Sequence, residues 1–367
     1  AGAVILGKTN LSEWANVRSD HATSGWSARG GLVKNPYAFD RSASGSSSGS
    51  AVAAAASFAG AALGTETVGS IVSPASACGV VGLKPTVGLV SRAGVIPITH
   101  SFDTAGPIAR SVADAALVLA AIAGPDPRDP ATQNARFEPP RLDRDGARGA
   151  RIGVVRGLKW VSPEQSALFD AAIDALRSLG AVIVDGLELP RPPFDPAHVV
   201  LMRELVTDMR AYLEARGGPM RSLDDLVRFD REHAREEMPW FGQDVFEAAL
   251  EKGGIEAPDY TPALEACRKG ARESGLDPLL AKVDVLVMPT AGPAWTSDLV
   301  NGDHFVGGSA FLPAVAGYPH LTVPCGFVHE LPVGLSFVGA AWSEATLLRI
   351  GFAYEGAARA RRPPRLP

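Results

Sequence analysis

Two short loops concentrate the hydroxyl groups of this sequence. The first runs Arg41-Ser42-Ala43-Ser44-Gly45-Ser46-Ser47-Ser48-Gly49-Ser50 and opens an alanine-rich segment. Within it, Gly45-Ser46-Ser47-Ser48-Gly49 fits GxSxG, the nucleophile elbow of a hydrolase with Ser47 at its centre. That elbow wants a buried strand directly before it, and Asp40–Ser44 is a poor strand. A phosphate-binding loop at a helix N-terminus is a second reading. It lacks the Gly-Lys-Ser/Thr ending of a Walker A loop, because Ser50 follows Gly49. A serine-rich helix entry with capping hydroxyls is the third.

The second loop is Gly64-Thr65-Glu66-Thr67-Val68-Gly69-Ser70. Two glycines frame the turn, which can aim successive backbone N–H groups at one point. Such a nest binds an anion, or forms an oxyanion hole where an acyl carbon is attacked. Ser70 would stand beside it. A serine hydroxyl is a weak nucleophile until a base takes its proton, and a hydroxyl of the first loop could relay that proton.

Other chemistries find less support. Cys78, Cys267 and Cys325 are far apart, and the seven histidines form no HExxH or HxH pair, so neither a metal nor another cofactor is expected. The net charge of −5 and the scatter of Lys and Arg, with 7% aromatics, argue against a nucleic-acid partner. No apolar run approaches the ~20 residues that span a bilayer, so no membrane partner is expected. Trp14, Trp26 and Trp160 are read as packing residues, His304 and His320 as ordinary surface or core histidines, and Asp103 as the holder of a turn.

The elements that must position these loops follow from the 367-residue pattern. Ala3–Leu6 reads as a buried strand and Ala51–Ala62 as a closely packed helix. Gly79–Val90 has strand-like pieces, and Val112–Ala123 is a helix stopped at Gly124-Pro125. Arg151–Val155 and Ala181–Val184 suit strands. Between them Ser162-Pro163-Glu164-Gln165 has the order of a capping box and opens a helix to about Leu179. Residues 196–280 read as mostly helical with charged faces. Val283–Met288, His320–Val323 and Val333–Val338 suit strands, and Ser343–Arg359 a closing amphipathic helix. Strands alternating with helices imply an α/β fold with a covered sheet.

Taken together, the motifs resemble those of the amidase signature family. The matching stretches are Gly7–Trp14, Gly45–Ser50, Gly64–Pro74, Gly79–Thr86 and Asp103–Pro107, then Ala314–Pro319 and Leu331–Leu335 near the C-terminus. The wording of Trp26–Gly31, Asn35-Pro36-Tyr37 and Ala358–Pro364 looks closest to bacterial peptide amidases. The resemblance implies a single α/β domain over 1–367, with a mixed sheet covered by helices on both faces. Its signature core would be 1–125, its variable helical region, lying over the active site, 126–282, and its return to the core 283–367.

The resemblance also implies a Ser–Ser–Lys triad that works without a cofactor. Ser70 matches the nucleophile and Ser46 the relay serine, whose peptide bond to Gly45 is cis in the family. Thr67, Val68, Gly69 and Ser70 match the oxyanion hole. Ser47, Phe102, Asp303 and Phe305 fall where relatives line the substrate pocket. The family's Lys lies farther before the relay serine than this sequence extends. Lys8, Lys34 and Lys84 occupy other motifs, so the chain is expected to lack an N-terminal part carrying the base.

Three departures from the pattern bear on substrate choice. Val68 stands where peptide amidases carry Asp, Phe102 where they carry Gln, and Cys78 where Asn is common. The expected activity is amide hydrolysis through an acyl-enzyme on Ser70, on a small-molecule or peptide amide, with a peptide C-terminal amide preferred. The sequence shows no sign of an amidotransferase assembly. The competing readings are an esterase using Ser47 with a late histidine such as His320, and a non-catalytic chain without its base. Oligomeric state is not readable. The compartment stays open between cytoplasm and periplasm or exterior, because any signal would precede Ala1.

Overall fold

Several strands here alternate between two apolar faces rather than between core and solvent. In Val285–Pro289 all five residues are buried. Val285 and Val287 join one hydrophobic core, and Leu286 and Met288 join another. The same alternation divides Leu335 and Phe337 from Val338. A strand buried on both sides requires layers above and below it.

The computed structural model describes residues 1–366. A small antiparallel ribbon joins β1 (Trp26–Ser27) and β2 (Gly31–Leu32). The main sheet holds β3 (Ala61–Glu66), β4 (Val81–Lys84), β5 (Thr104–Ala109), β6 (Arg151–Val155), β7 (Val182–Leu187), β8 (Val285–Pro289), β9 (His320–Val328) and β10 (Leu331–Val338). Its order is β3-β5-β4-β9-β10-β8-β6-β7. The β8–β6 and β6–β7 pairs are parallel and the rest antiparallel, so the sheet is mixed.

The helices are α1 (Ser48–Ala55), α2 (Val72–Ala77), α3 (Val112–Ile122), α4 (Pro163–Ser178), α5 (Phe194–Arg216), α6 (Leu223–Glu232), α7 (Ala234–Glu237), α8 (Asp244–Lys252), α9 (Tyr260–Arg268), α10 (Asp277–Leu280), α11 (Phe311–Ala316) and α12 (Glu344–Ala358). Leu119 of α3, Ile173 of α4 and Leu348 of α12 pack on the face that carries Val285 and Phe337. Val200 of α5, Cys267 of α9 and Val315 of α11 cover Leu286 and Met288 on the other. The fold is α/β with helices on both faces.

Four local expectations need correction. Ala3–Leu6 pairs with no strand, and Val4, Ile5 and Leu6 are exposed. A strand exists only through its ladder hydrogen bonds, and this segment makes none. The alanine-rich helix stops at Ala55, and Ser57 turns the chain at φ 63°. Ala61 and Ala62 then pair with Ala109 and Ile108 of β5, so sheet pairing overrides alanine's helix preference. For the same reason Gly64–Glu66 is the end of β3, and the turn begins only at Thr67. At α4 the Ser162 side chain accepts the Gln165 N–H as expected, but Gln165 Nε2 donates to the Ala291 carbonyl at 2.7 Å and its Oε1 has no partner, so the return half of the capping box is not formed.

β3 is an edge of the sheet, and three of its outward groups are taken by serines of the first loop and α1. Ser47 Oγ donates to the Thr65 carbonyl at 3.0 Å and accepts the Thr65 N–H at 3.2 Å, while Ser50 Oγ donates to the Leu63 carbonyl at 2.8 Å.

Candidate active site

The first loop enters α1 through a sharp backbone turn. Ser44 has φ 58° and the Gly45–Ser46 peptide bond is cis. The Ser46 carbonyl accepts the Ser12 N–H at 3.0 Å. A β-carbon on Gly45 would meet Ser12 Oγ at 2.5 Å and Ser24 Oγ at 2.8 Å, so a side chain there would have to displace both hydroxyls. Ser46 is buried, and its Oγ has no hydrogen-bond partner among the described residues. A buried hydroxyl without a partner is unusual and calls for an explanation. The two loops meet directly, because the Ser47 N–H donates to the Ser70 carbonyl at 3.1 Å.

The second loop leaves β3 at Glu66 and turns through Thr67, Val68 and Gly69 to reach Ser70, which is partly exposed. Gly69 has φ 82°, in the left-handed region. Glu66 is fully buried, and its Oε2 accepts the N–H groups of Ile71 at 2.7 Å and Val72 at 3.1 Å. Burial pushes its carboxyl up, against the pull of Lys84 and those N–H groups. Thr67 Oγ1 donates to Asp103 Oδ1 at 2.6 Å. Asp103 Oδ2 accepts from Ile98 N at 2.8 Å and Thr99 N at 3.0 Å. Burial raises the Asp103 carboxyl to about 6, although these three donors oppose it.

A small cavity of about 20 Å³ opens here, walled by Ser46, Thr65, Glu66, Thr67, Ile98 and Asp103 among others. A larger one of about 200 Å³, lined by Arg92, His100, Arg128 and Asp208, shares Val95 and Asp103 with it. Val68 is 37% exposed at the turn. Phe102, Asp303 and Phe305, expected near the substrate, line neither cavity. Phe102 is buried in the core with Val155 and Ala197. Asp303 accepts the Ser24 N–H at 3.0 Å and Trp295 Nε1–H at 3.1 Å, tying two loops together. Phe305 is half-exposed against the edge of Trp295.

The elbow reading fails on geometry. Ser47 Oγ is spent on Thr65, and residues 41 and 42 make only isolated bridges, not a strand. His320 is fully buried on β9, its Nε2 against Ser336 Oγ, and burial lowers it to about 3, so it stays neutral. Among the described residues no lysine hydrogen-bonds to Ser46, whose Oγ has no partner. Lys8 and Lys34 are exposed. Lys84 is buried and its Nζ donates to the Pro85 carbonyl at 2.9 Å. Burial lowers Lys84 to about 8, with Glu66 and Glu344 opposing.

Two parts of the site were not anticipated. Glu66 has no local signal of burial. The cluster of His100, Glu204 and Asp208 joins residues from distant parts of the chain, with candidate ligand atoms within 4.8 Å of one another. Their carboxylate oxygens already accept from Thr99, His100, Ser101 and Tyr260, so the cluster is a hydrogen-bonded junction. No helix of the described residues is long and apolar enough to cross a membrane.

The decisive comparison is with protein-family models, where the amidase model matches residues 1–348. The chain belongs to the amidase family. Members are hydrolases acting on amide bonds, and the family's characteristic nucleophile is a serine. A probable amidase of Arabidopsis thaliana is 39% identical, over all of this chain and 70% of its own length. The native peptide amidase of Stenotrophomonas maltophilia superposes with a TM-score of 0.95 at 49% identity, over all of this chain and 76% of that one. A peptide amidase bound to the competitive inhibitor chymostatin superposes at 0.97, again with 49% identity and coverage of 100% and 76%. This amidase therefore shares the sheet and helix layers of those structures.

Proposed function

We propose that this amidase hydrolyses the C-terminal amide of peptides through an acyl-enzyme on Ser70. Ser70 Oγ attacks the amide carbonyl while Ser46 Oγ takes its proton. The N–H groups of Thr67, Val68, Gly69 and Ser70 face the oxyanion that forms, where preorganised donors act most strongly. Ser46 returns the proton to the leaving nitrogen, ammonia departs, and water hydrolyses the ester by the reverse route. In this reading Ser46 passes its own proton on to a neutral lysine base, as the resemblance to the family implies.

The observation that carries this reading is Ser46 Oγ, buried and without a partner in the cavity that Thr67 also walls. The 49% identity to peptide amidases, one of them holding an inhibitor, supports the peptide amide as substrate. The test is ammonia release from an amidated peptide by the full-length protein. Ser70→Ala should remove at least about 10³-fold of the rate, and Ser46→Ala about 10²–10⁴-fold, the worth of general acid–base transfer. A Ser70→Ala variant that keeps its rate would refute the assignment.

A further inference from the structure

We propose that His100 is a positioning residue for amide cleavage: it pins the Ile98–Asp103 turn to helix α5, and that turn, through Asp103, holds Thr67 in the donor turn beside Ser70. The proposal rests on the Ser70 reading and adds a residue that no motif marks.

The chain of contacts is continuous. His100 Nδ1 lies 2.9 Å from Asp208 Oδ2, and its backbone N–H donates to the same oxygen at 2.8 Å. Its Nε2 lies 3.3 Å from Glu204 Oε1. Asp208 and Glu204 sit one turn apart on α5, so the ring spans both carboxylates. Glu204 is fully buried and also takes Thr99 Oγ1 and, at 3.0 Å, the Ser101 N–H; Tyr260 of α9 donates to it at 2.6 Å. Arg92 Nη1 donates to the His100 carbonyl at 2.5 Å, and Arg92 Nη2 pairs with Asp129 Oδ1.

Residues 98–101 thus have nearly every polar group committed to α5, Arg92 or Asp103. The Ile98 and Thr99 N–H groups fix one Asp103 oxygen, and the other accepts Thr67 Oγ1. Thr67 is one of the proposed oxyanion donors, whose value depends on placement to a fraction of an ångström. His100 reaches no catalytic atom itself and acts through Asp103.

The test compares the full-length protein with its His100→Ala and His100→Gln variants by amide hydrogen exchange and by steady-state kinetics on a peptide amide. Expected for His100→Ala is faster exchange in residues 96–103 and also in 65–70, with β9 and α12 unchanged. Its kcat should fall about tenfold while KM moves less than about threefold. Glutamine, which can still donate to Asp208, should recover most of both effects. Loosening confined to 96–103 with kcat unchanged would overturn the proposal. So would a rise in KM alone, which would make His100 a substrate contact. Because exchange needs no turnover, the coupling of the two segments is read even if Ser70→Ala shows that the nucleophile lies elsewhere.

Discussion

At the scale of single residues, the candidate site is a set of hydroxyls distinguished by what each one touches. Ser47 and Ser50 are spent on β3, Ser48 donates to the Ser44 carbonyl, and Ser46 alone of the four has no partner. Composition could mark the loop as serine-rich but could not sort its members. Thr67 shows the same principle, since its hydroxyl is one of three donors on a buried carboxylate. Thr67→Val keeps shape and removes that donor, which should destabilise the fold by about 1–3 kcal/mol. The sign with pH follows from Asp103, raised to about 6 in the fold. A donor favours the ionised form, so its loss matters most where Asp103 is charged. Denaturant unfolding should show the deficit of Thr67→Val growing as pH rises through 6 and shrinking toward pH 5.

At the scale of elements, the regular pieces were legible where pattern and cap agreed. Arg151–Val155 was readable to the residue, and α3 and α4 nearly so, because β-branched runs and an N-cap serine act locally. What failed were pieces decided by partners. Ala61 and Ala62 went to β5, and Ala3–Leu6 paired with nothing. Phe102 turned into the core, and Glu204 met His100 across more than a hundred residues of chain, a contact that no local spacing encodes. The family motifs single out Ser46, Ser70 and the 67–70 turn as the proposed site but are silent on the shell around them. The α4 cap gives a clean element-scale prediction. Ser162 accepts only the Gln165 N–H, and Gln165 is anchored elsewhere, so Ser162→Ala should cost about 1 kcal/mol, read as a lower midpoint in thermal unfolding with kcat unchanged.

At the scale of the whole molecule, the sheet's interior carries polar groups that tie stability to pH. His320, Ser336, Thr290 and Thr322 bond to one another in the centre of the sheet, with Lys84 opposite His320 in register. Burial first, and Lys84 second, lower His320 to about 3 from an ordinary 6.5. Between those values the unfolded chain binds a proton that the folded one refuses, so this contribution to stability is lost as pH falls below about 6.5. His320→Gln removes the titration. Its unfolding free energy, compared with the parent from pH 7 to pH 4, should decline less steeply, and equal slopes would show that His320 is not the group responsible.

The serines that cover the outer edge of β3 matter beyond the site. A bare edge strand offers its N–H and C=O groups to any passing extended segment, and recruitment of that kind starts cross-β aggregation. Here Ser47 takes the N–H and C=O of Thr65 and Ser50 the carbonyl of Leu63, from within the same chain. The loop that carries Ser46 therefore also closes one border of the sheet, so changes made there to retune chemistry would expose a template for self-association during expression or concentration.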